Sequence, residues 1–132
     1  MGEIVVAITG ASGAIYGKRL LEILKEHNRD TRLVVSHAGE ITLNHECNMS
    51  KEELAAKTGA KLDDEKNIGG KSASGSAKID AVVICPCSGT TLGKMAAGIS
   101  DNLVTRSAIV AMKERRKPVS YTHLRAHETD YY

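Results

Sequence analysis

The 132-residue sequence has no phenylalanine or tryptophan, only two prolines and only three cysteines. Because Cys85 and Cys87 are nearly adjacent, the cysteines make a poor disulfide set, and we expect a reducing, cytoplasmic setting. No apolar run approaches the roughly 18 residues of a membrane span, and the N-terminus enters a strand without a signal peptide. With 18 Lys and Arg against 16 Asp and Glu, the net charge of +2 does not argue for nucleic acid or a membrane surface as a partner.

The few aromatic residues are concentrated at the C-terminus. Three of the four tyrosines lie at positions 121, 131 and 132. Residues 119–132 show neither strand alternation nor a helical stripe, and they resemble the translation, in one frame, of a transposase adapter used in DNA library preparation. We interpret them as a non-native tail, with a genuine divergent tail as the alternative. Residues 1–118 are then the N-terminal part of a single domain.

The chain opens with a strand pattern, a turn of small residues and a helical pattern. Residues 4–9 are largely apolar and β-branched, residues 10–14 are Gly-Ala-Ser-Gly-Ala, and helical spacing begins at Ile15. Such a unit presents backbone N–H groups and a helix N-terminus to a phosphate. Gly10 and Gly13 let an anion approach the main chain, and Ser12 adds a hydroxyl. The motif predicts a phosphate site, with a tight turn that binds nothing as the alternative.

Strands alternate with helices along the rest of the chain, which predicts an α/β fold with a parallel sheet. Strands are predicted at residues 4–9, 31–35 and 79–85, and a fourth is expected to start after Pro118. Helices are predicted from residue 15, at 38–46, from 51 with Ser50 and Glu53 as a capping box, at 92–97 and at 103–116. Residues 62–76 predict a long loop. Because ligands bind at the carboxyl ends of parallel strands, we expect the turns at 10–13, 36–37 and 87–91 to converge on one crevice.

Six groups of residues before position 118 occur in the order and spacing of one known family. They are Thr9 to Gly17, Ser36 at a strand end, Ala73 to Ser76, Ile84 to Ser88, Asp101-Asn-Leu with Arg106, and Met112 to Arg116. Together these groups resemble the UbiX-type flavin prenyltransferases. The resemblance implies a three-layer α/β/α doubly wound parallel sheet, a Rossmann-like flavoprotein fold that is incomplete at its C-terminus.

The resemblance also implies an activity. Members of that family transfer a dimethylallyl group from dimethylallyl phosphate to N5 and C6 of reduced FMN, without a metal. The product, prenylated FMN, serves a UbiD-type decarboxylase, and the family forms homo-oligomers with the site between subunits. The expected cofactor is therefore FMN, as substrate in its reduced form, and the expected partners are the prenyl donor, the decarboxylase and further copies of the chain.

Site residues follow from the same resemblance. It implies that Gly10, Ala11 and Ser12 form the loop that binds the flavin phosphate. It implies further flavin contacts at Gly13, Ser36, Ser88, Gly89, Thr90, Thr91 and Arg106. It implies catalytic roles near the prenyl donor for Ser12, Glu46 and Lys113. Lys113 would meet the charge of the leaving phosphate, and a carboxylate such as Glu46 or a phosphate oxygen could take the proton lost at C6. Without the resemblance, Lys113 is an ordinary cation at a helix end, Glu46 a surface acid and Arg106 a surface or structural arginine.

Two departures from the family pattern affect these expectations. His37 stands where relatives often have lysine. A buried strand with an Arg-Glu pair is expected after Pro118, where the tail begins, so the chain as written is expected to have little or no transferase activity. Two other functions remain open, namely an FMN-dependent decarboxylase of cysteine derivatives with the same fold and a non-catalytic flavin-binding module. We expect Cys85 and Cys87 to pack the strand exit and bind no metal.

Overall fold

The structure is a computed structural model that describes residues 2–74 and 78–114, and the backbone of 117–120. Within these residues, five parallel strands form one sheet in the order β3-β2-β1-β4-β5. The strands are β1 (Glu3–Ile8), β2 (Thr31–Val35), β3 (Lys61–Asp63), β4 (Ile79–Ile84) and β5 (Lys117–Ser120). The helices are α1 (Ala14–Glu26), α2 (His37–Cys47), α3 (Lys51–Thr58), α4 (Gly89–Ala96) and α5 (Leu103–Lys113), with a short 3-10 helix at Lys71–Ala73.

The central strand β1 has a buried core on each of its faces. Val5 and Ala7 pack into one hydrophobic cluster together with Leu103 of α5, because successive side chains of a strand point to opposite faces. Val6 and Ile8 pack into the other cluster, which contains residues of α1, α2 and α3. Helices therefore cover both faces of a parallel sheet, which confirms the predicted three-layer α/β/α fold.

The order of the strands places a topological switch point between β1 and β4. From β1 the chain moves outward through β2 and β3, and it then returns to the other side of β1 to form β4 and β5. Ligands of open α/β sheets bind in the crevice at such a point, outside the carboxyl ends of the strands. The carboxyl ends of β1 and β4 are therefore where a ligand site is expected.

The predicted loop at 62–76 is only partly a loop. It overlaps the three-residue edge strand β3 and contains the 3-10 helix. The sequence of β3, Lys-Leu-Asp, has a single apolar residue, so it shows no alternation that would predict a strand. The capping box of Ser50 and Glu53 at the start of α3 is confirmed.

The strand expected after Pro118 begins one residue before it. In β5 the backbone of Pro118 pairs with Val82 of β4, and β5 is an edge strand of the described sheet, where a missing N–H is tolerated. Two residues of the predicted tail, Val119 and Ser120, thus belong to β5. Residues 121–132 lie outside the described residues, and the interpretation of the tail as non-native stays a prediction. The predicted helix at 103–116 ends at Lys113, and its last two predicted residues also lie outside the described part.

A buried arginine joins the first three strands. Arg32 of β2 is 7% exposed, and its guanidinium contacts the carboxylate of Glu3 at 3.1 Å and that of Asp63 at 2.8 Å. Lys61 also reaches Glu3, at 3.1 Å. Burial alone raises the pKa of Glu3, but hydrogen bonds and charge from Lys61 and Arg32 outweigh burial and leave its pKa below the ordinary value.

The lowered pKa of Glu3 predicts a contribution to stability that depends on pH. A carboxylate with a lowered folded-state pKa stabilises the fold above its ordinary pKa of about 4.3, and this stabilisation is lost as the pH falls through the folded value. We expect Glu3→Gln to lower the free energy of unfolding at neutral pH, and the difference from wild type to shrink at about pH 3. Urea unfolding at both pH values measures this. A difference that stays the same at both pH values would contradict the prediction.

Candidate functional site at the carboxyl edge of the sheet

Two hydrogen bonds of the Thr9 side chain connect the end of β1 to the turn after β4. Its side chain is buried, and its Oγ1 donates to the carbonyl of Pro86 at 2.6 Å and accepts from the N–H of Ser88 at 2.8 Å. The sequence did not predict Thr9 as a positioning residue. The available signal was a hydroxyl side chain at the last position of a strand that is otherwise apolar.

The turn after β2 also lies next to the end of β1. The N–H of Ser36 donates to the carbonyl of Ile8 at 3.0 Å. The turns also approach each other closely, since a Cβ at Gly10 would lie only 2.4 Å from the Cβ of Ala38. A Cβ at Gly39 would lie 2.4 Å from the carbonyl oxygen of Ile8. The prediction that the turns at 10–13, 36–37 and 87–91 converge is confirmed.

A carboxylate of the chain occupies the N-terminus of α1. Oε1 of Glu46, on α2, accepts from the N–H of Gly13 at 3.1 Å and from that of Ala14 at 2.9 Å. Its Oε2 accepts only the longer bond from Gly13, at 3.3 Å. Two of the backbone N–H groups that were expected to bind a phosphate at the turn 10–13 are therefore already bonded to Glu46. The half-buried Ser12 lies beside this contact, in the same turn.

A second carboxylate occupies the N-terminus of α2. Ser36 is the N-cap, and its Oγ accepts from the N–H of Gly39 at 3.0 Å. The N–H of His37 donates to Oε1 of Glu65 at 2.8 Å. Glu65 lies in the segment that was predicted to be a long loop, and its contact with α2 was not predicted from the sequence either.

The N-terminus of α4 differs from the other two. Its N-cap Ser88 accepts from the N–H of Thr91 at 3.1 Å, and the hydroxyls of Ser88 and Thr91 are 2.9 Å apart. Gly89 and Thr90 are exposed, and a Cβ at Gly89 would meet no atom within 4 Å. Among the described residues, no carboxylate bonds to this helix start. Free N–H groups, hydroxyls and open space together suit a phosphate.

Comparison with known proteins agrees with this geometry. The family model described as Flavoprotein matches residues 2–124. The chain belongs to the flavoprotein family. This flavoprotein is 44% identical over 115 residues to the flavin prenyltransferase UbiX of Thermoplasma acidophilum, an alignment that covers 87% of this chain and 62% of the relative. The chain thus spans less than two thirds of that relative's length.

Two solved structures share the fold of this flavoprotein. AnUbiX (PadA1), in a crystal structure with FMN and dimethylallyl pyrophosphate, has a TM-score of 0.88 and 32% identity, over 98% of this chain and 70% of that one. A dodecameric FMN-dependent UbiX-like decarboxylase from Escherichia coli O157:H7 has a TM-score of 0.89 and 34% identity. That alignment covers 94% of this chain and 68% of the other.

The two predicted cations of the flavoprotein lie on α5 and are separated along it. Arg106 is one turn from the start of α5, at the carboxyl edge of the sheet, whereas Lys113 is its last residue. Because α5 leads into the parallel strand β5, its end lies towards the amino edge, about two turns from Arg106. Both side chains are exposed, and neither forms an ion pair with any residue that the structure describes. The three turns and Arg106 share one edge, and the single chain does not bring Lys113 to it.

Two of the three cysteines of the flavoprotein, Cys85 and Cys87, follow β4 at the switch point, whereas Cys47 ends α2 and is partly exposed. Cys85 and Cys87 are buried, and burial raises the pKa of the Cys85 thiol, so this thiol is protonated at neutral pH. Over the described ranges, no group of three His, Cys, Asp or Glu side chains could hold a metal ion. In the same part of the chain, no helix is both long enough and apolar enough to cross a membrane.

Proposed function

We propose that this chain carries the flavin-binding part of a cytoplasmic flavin prenyltransferase. The reaction would move a dimethylallyl group from dimethylallyl phosphate to N5 and C6 of reduced FMN, and a UbiD-type decarboxylase would use the product. The observation that carries the proposal is the convergence of three small-residue turns at the switch point, beside a helix N-terminus to which no carboxylate of the described residues bonds. The identity with UbiX of Thermoplasma acidophilum supports the same reaction class.

We assign the phosphate of FMN to the N-terminus of α4. The helix starts of α1 and α2 already hold Glu46 and Glu65, and a phosphate placed there would face like charge. At α4, the N–H groups of Gly89 and Thr90 and the hydroxyls of Ser88 and Thr91 can donate to phosphate oxygens. Gly10, Ala11, Ser12, Gly13 and Ser36 would then line the path of the ring system, and Arg106 would add charge near the same edge.

The remaining predicted residues have distinct tasks in this proposal. When bound, reduced FMN supplies an electron-rich ring that accepts the prenyl group. Oε1 of Glu46 accepts two backbone N–H bonds, whereas Oε2 accepts one. Oε2 therefore has more hydrogen-bond accepting capacity left, and it is the oxygen that can take a proton. Lys113 offers a point charge to the departing phosphate. Because Lys113 lies towards the other edge of its own sheet, it would act in the site of a neighbouring copy.

Exposed apolar side chains on the surface also support assembly into a homo-oligomer. Helix α4 has no buried residue, and Leu92 on it and Ile99 just after it are 44% and 46% exposed. Met112, next to Lys113, is 51% exposed. Exposed apolar side chains of this size mark protein interfaces when they lie together. The dodecameric relative from Escherichia coli O157:H7 supports assembly of this kind.

Binding of FMN and of riboflavin, which lacks the phosphate, tests the assignment. We expect the chain to bind FMN at least about tenfold more tightly than riboflavin. Gly89→Asp should remove that preference, because it adds a carboxylate to the α4 start at a position where a Cβ meets nothing within 4 Å. Gly93→Asp, at an equally open position one turn later, is the matched control and should keep the preference. Titration followed by flavin fluorescence measures all six affinities, those of the wild type and the two variants for FMN and for riboflavin.

The outcomes separate the candidate functions. Equal affinity for FMN and riboflavin in the wild type would contradict the phosphate assignment, and no binding of either would contradict the flavin function. For the transfer step, the mass of reduced FMN after incubation with dimethylallyl phosphate is decisive. It is measured on the reading frame continued past Pro118, because the chain as written is expected to have little or no transferase activity. Prenylated flavin supports the transferase, whereas loss of carbon dioxide from a cysteine derivative would support the decarboxylase alternative. The source DNA, read through the codon for Pro118, shows which chain to assay.

A further inference from the structure

Glu65 connects the starts of two helices that lie on opposite faces of the sheet. Its side chain accepts from the N–H of His37, the first residue of α2, at 2.8 Å. Its main-chain carbonyl accepts from the N–H of Leu103, the first residue of α5, at 2.9 Å. The two helices pack into different hydrophobic clusters, α2 through Leu43 and α5 through Leu103. One half-buried residue therefore spans the carboxyl edge of the sheet.

The segment around Glu65, residues 63–74, is fixed at both of its ends. At its start, Asp63 accepts from Arg32 at 2.8 Å, and its second oxygen accepts from the backbone and hydroxyl of Ser72 at 3.1 and 2.6 Å. Near its end, Gly70 is buried, and a Cβ there would lie 3.1 Å from Cδ2 of Leu103. A segment held in this way can fix the position of whatever it contacts in between.

The two helix starts that Glu65 holds carry predicted flavin contacts. Ser36 is the N-cap of α2, immediately before His37. Arg106 lies one turn into α5, where its N–H donates to the carbonyl of Asn102 at 3.0 Å. A shift of either helix start moves one of these side chains relative to the other. The separation of Ser36 and Arg106 therefore depends on both bonds of Glu65.

We propose that Glu65 is a positioning residue for the flavin site, which sets the start of α2 against the start of α5 and so holds Ser36 and Arg106 at the spacing that FMN requires. This inference rests on the proposed flavin function. Glu65 itself contacts no ligand in this proposal and acts through the backbone of His37.

Three variants test this role in the full chain. Glu65→Ala removes the bond to His37, and we expect it to weaken FMN binding about tenfold, in line with the loss of one charge-assisted hydrogen bond. Glu65→Gln keeps an acceptor oxygen at the same place and should bind FMN within about twofold of wild type. Glu53→Ala is the matched control, because Glu53 also bonds to a helix start, at the N–H of Ser50 and 3.0 Å, but belongs to α3.

Thermal unfolding and amide exchange accompany the FMN titration. We expect Glu65→Ala and Glu53→Ala to lower the unfolding temperature similarly, with only Glu65→Ala losing FMN affinity and speeding exchange of the His37 amide. Wild-type affinity in Glu65→Ala would overturn the inference and leave the flavin function standing. Equal losses of affinity in Glu65→Ala and Glu53→Ala would overturn it too, because they would indicate general destabilisation. No FMN binding by the wild type would instead overturn the flavin function itself.

Discussion

Arg32→Met is expected to lower the free energy of unfolding by about 3–5 kcal/mol, the range measured when one partner of a buried ion pair is removed. The substitution leaves the carboxylates of Glu3 and Asp63 facing each other's charge in a part of the sheet that water hardly reaches. Among the described residues, Lys61, whose side chain is mostly exposed, is the one cation that remains for Glu3. Chemical unfolding of the variant and the wild type at pH 7 measures the loss.

Arg29→Met is the matched control for this substitution. Arg29 also contacts a carboxylate closely, at 2.9 Å from Asp80, but the Asp80 side chain is 45% exposed. Surface pairs of this kind contribute about 0–1 kcal/mol. Should Arg32→Met lose no more stability than Arg29→Met, the three-strand ion cluster would be energetically unimportant.

Thr9→Val is expected to lower stability by about 1–3 kcal/mol and to weaken FMN binding about tenfold. Valine has nearly the shape of threonine, so the packing at the end of β1 is retained. The carbonyl of Pro86 then loses a buried donor and the N–H of Ser88 loses its acceptor. Because Ser88 is the N-cap of α4, the second loss loosens the helix start to which we assign the phosphate.

Thr58→Val provides the control for Thr9→Val. Thr58 is also buried, and its hydroxyl donates to the carbonyl of Leu54 within α3, far along the chain from the three turns. Loss of the Thr58 hydroxyl should leave FMN affinity unchanged, because α3 starts and ends outside the proposed site. Calorimetric unfolding and an FMN titration on both variants separate the two effects. An FMN affinity that falls equally in both variants would contradict the role of Thr9.

The elements with strong local patterns were predictable from the sequence. Strands β1, β2 and β4 are predominantly apolar, and the capping box at Ser50 and Glu53 is a four-residue signal. Strand β3 was not predictable, because an edge strand of three residues with one apolar side chain has no period to detect. The order of the strands in the sheet likewise depends on contacts that a single sequence does not display.

The parts of the site that the sequence did not predict are long-range contacts. Thr9 bonds to a carbonyl that lies 77 residues away, Glu46 to amides 32 and 33 residues away, and Glu65 to an amide 28 residues away. Residue type and local spacing identified the turns and the resemblance identified Glu46 as a site residue. Neither could show that carboxylates bond to the starts of α1 and α2, the observation on which we assign the phosphate to the start of α4.

The central position of β1 also has a consequence for the order in which the protein is made. Glu3 pairs with Ile79, so at ~5–20 residues/s a ribosome needs roughly 4–15 s to supply this neighbour. During that time β1 and β2 can associate, but one long edge of the middle strand stays without its partner. The crevice between β1 and β4 closes only after the turn at Ser88 has been synthesised. In the nascent chain, the centre of the sheet is therefore completed first, and the proposed ligand site only after the start of α4 and Arg106 have been synthesised.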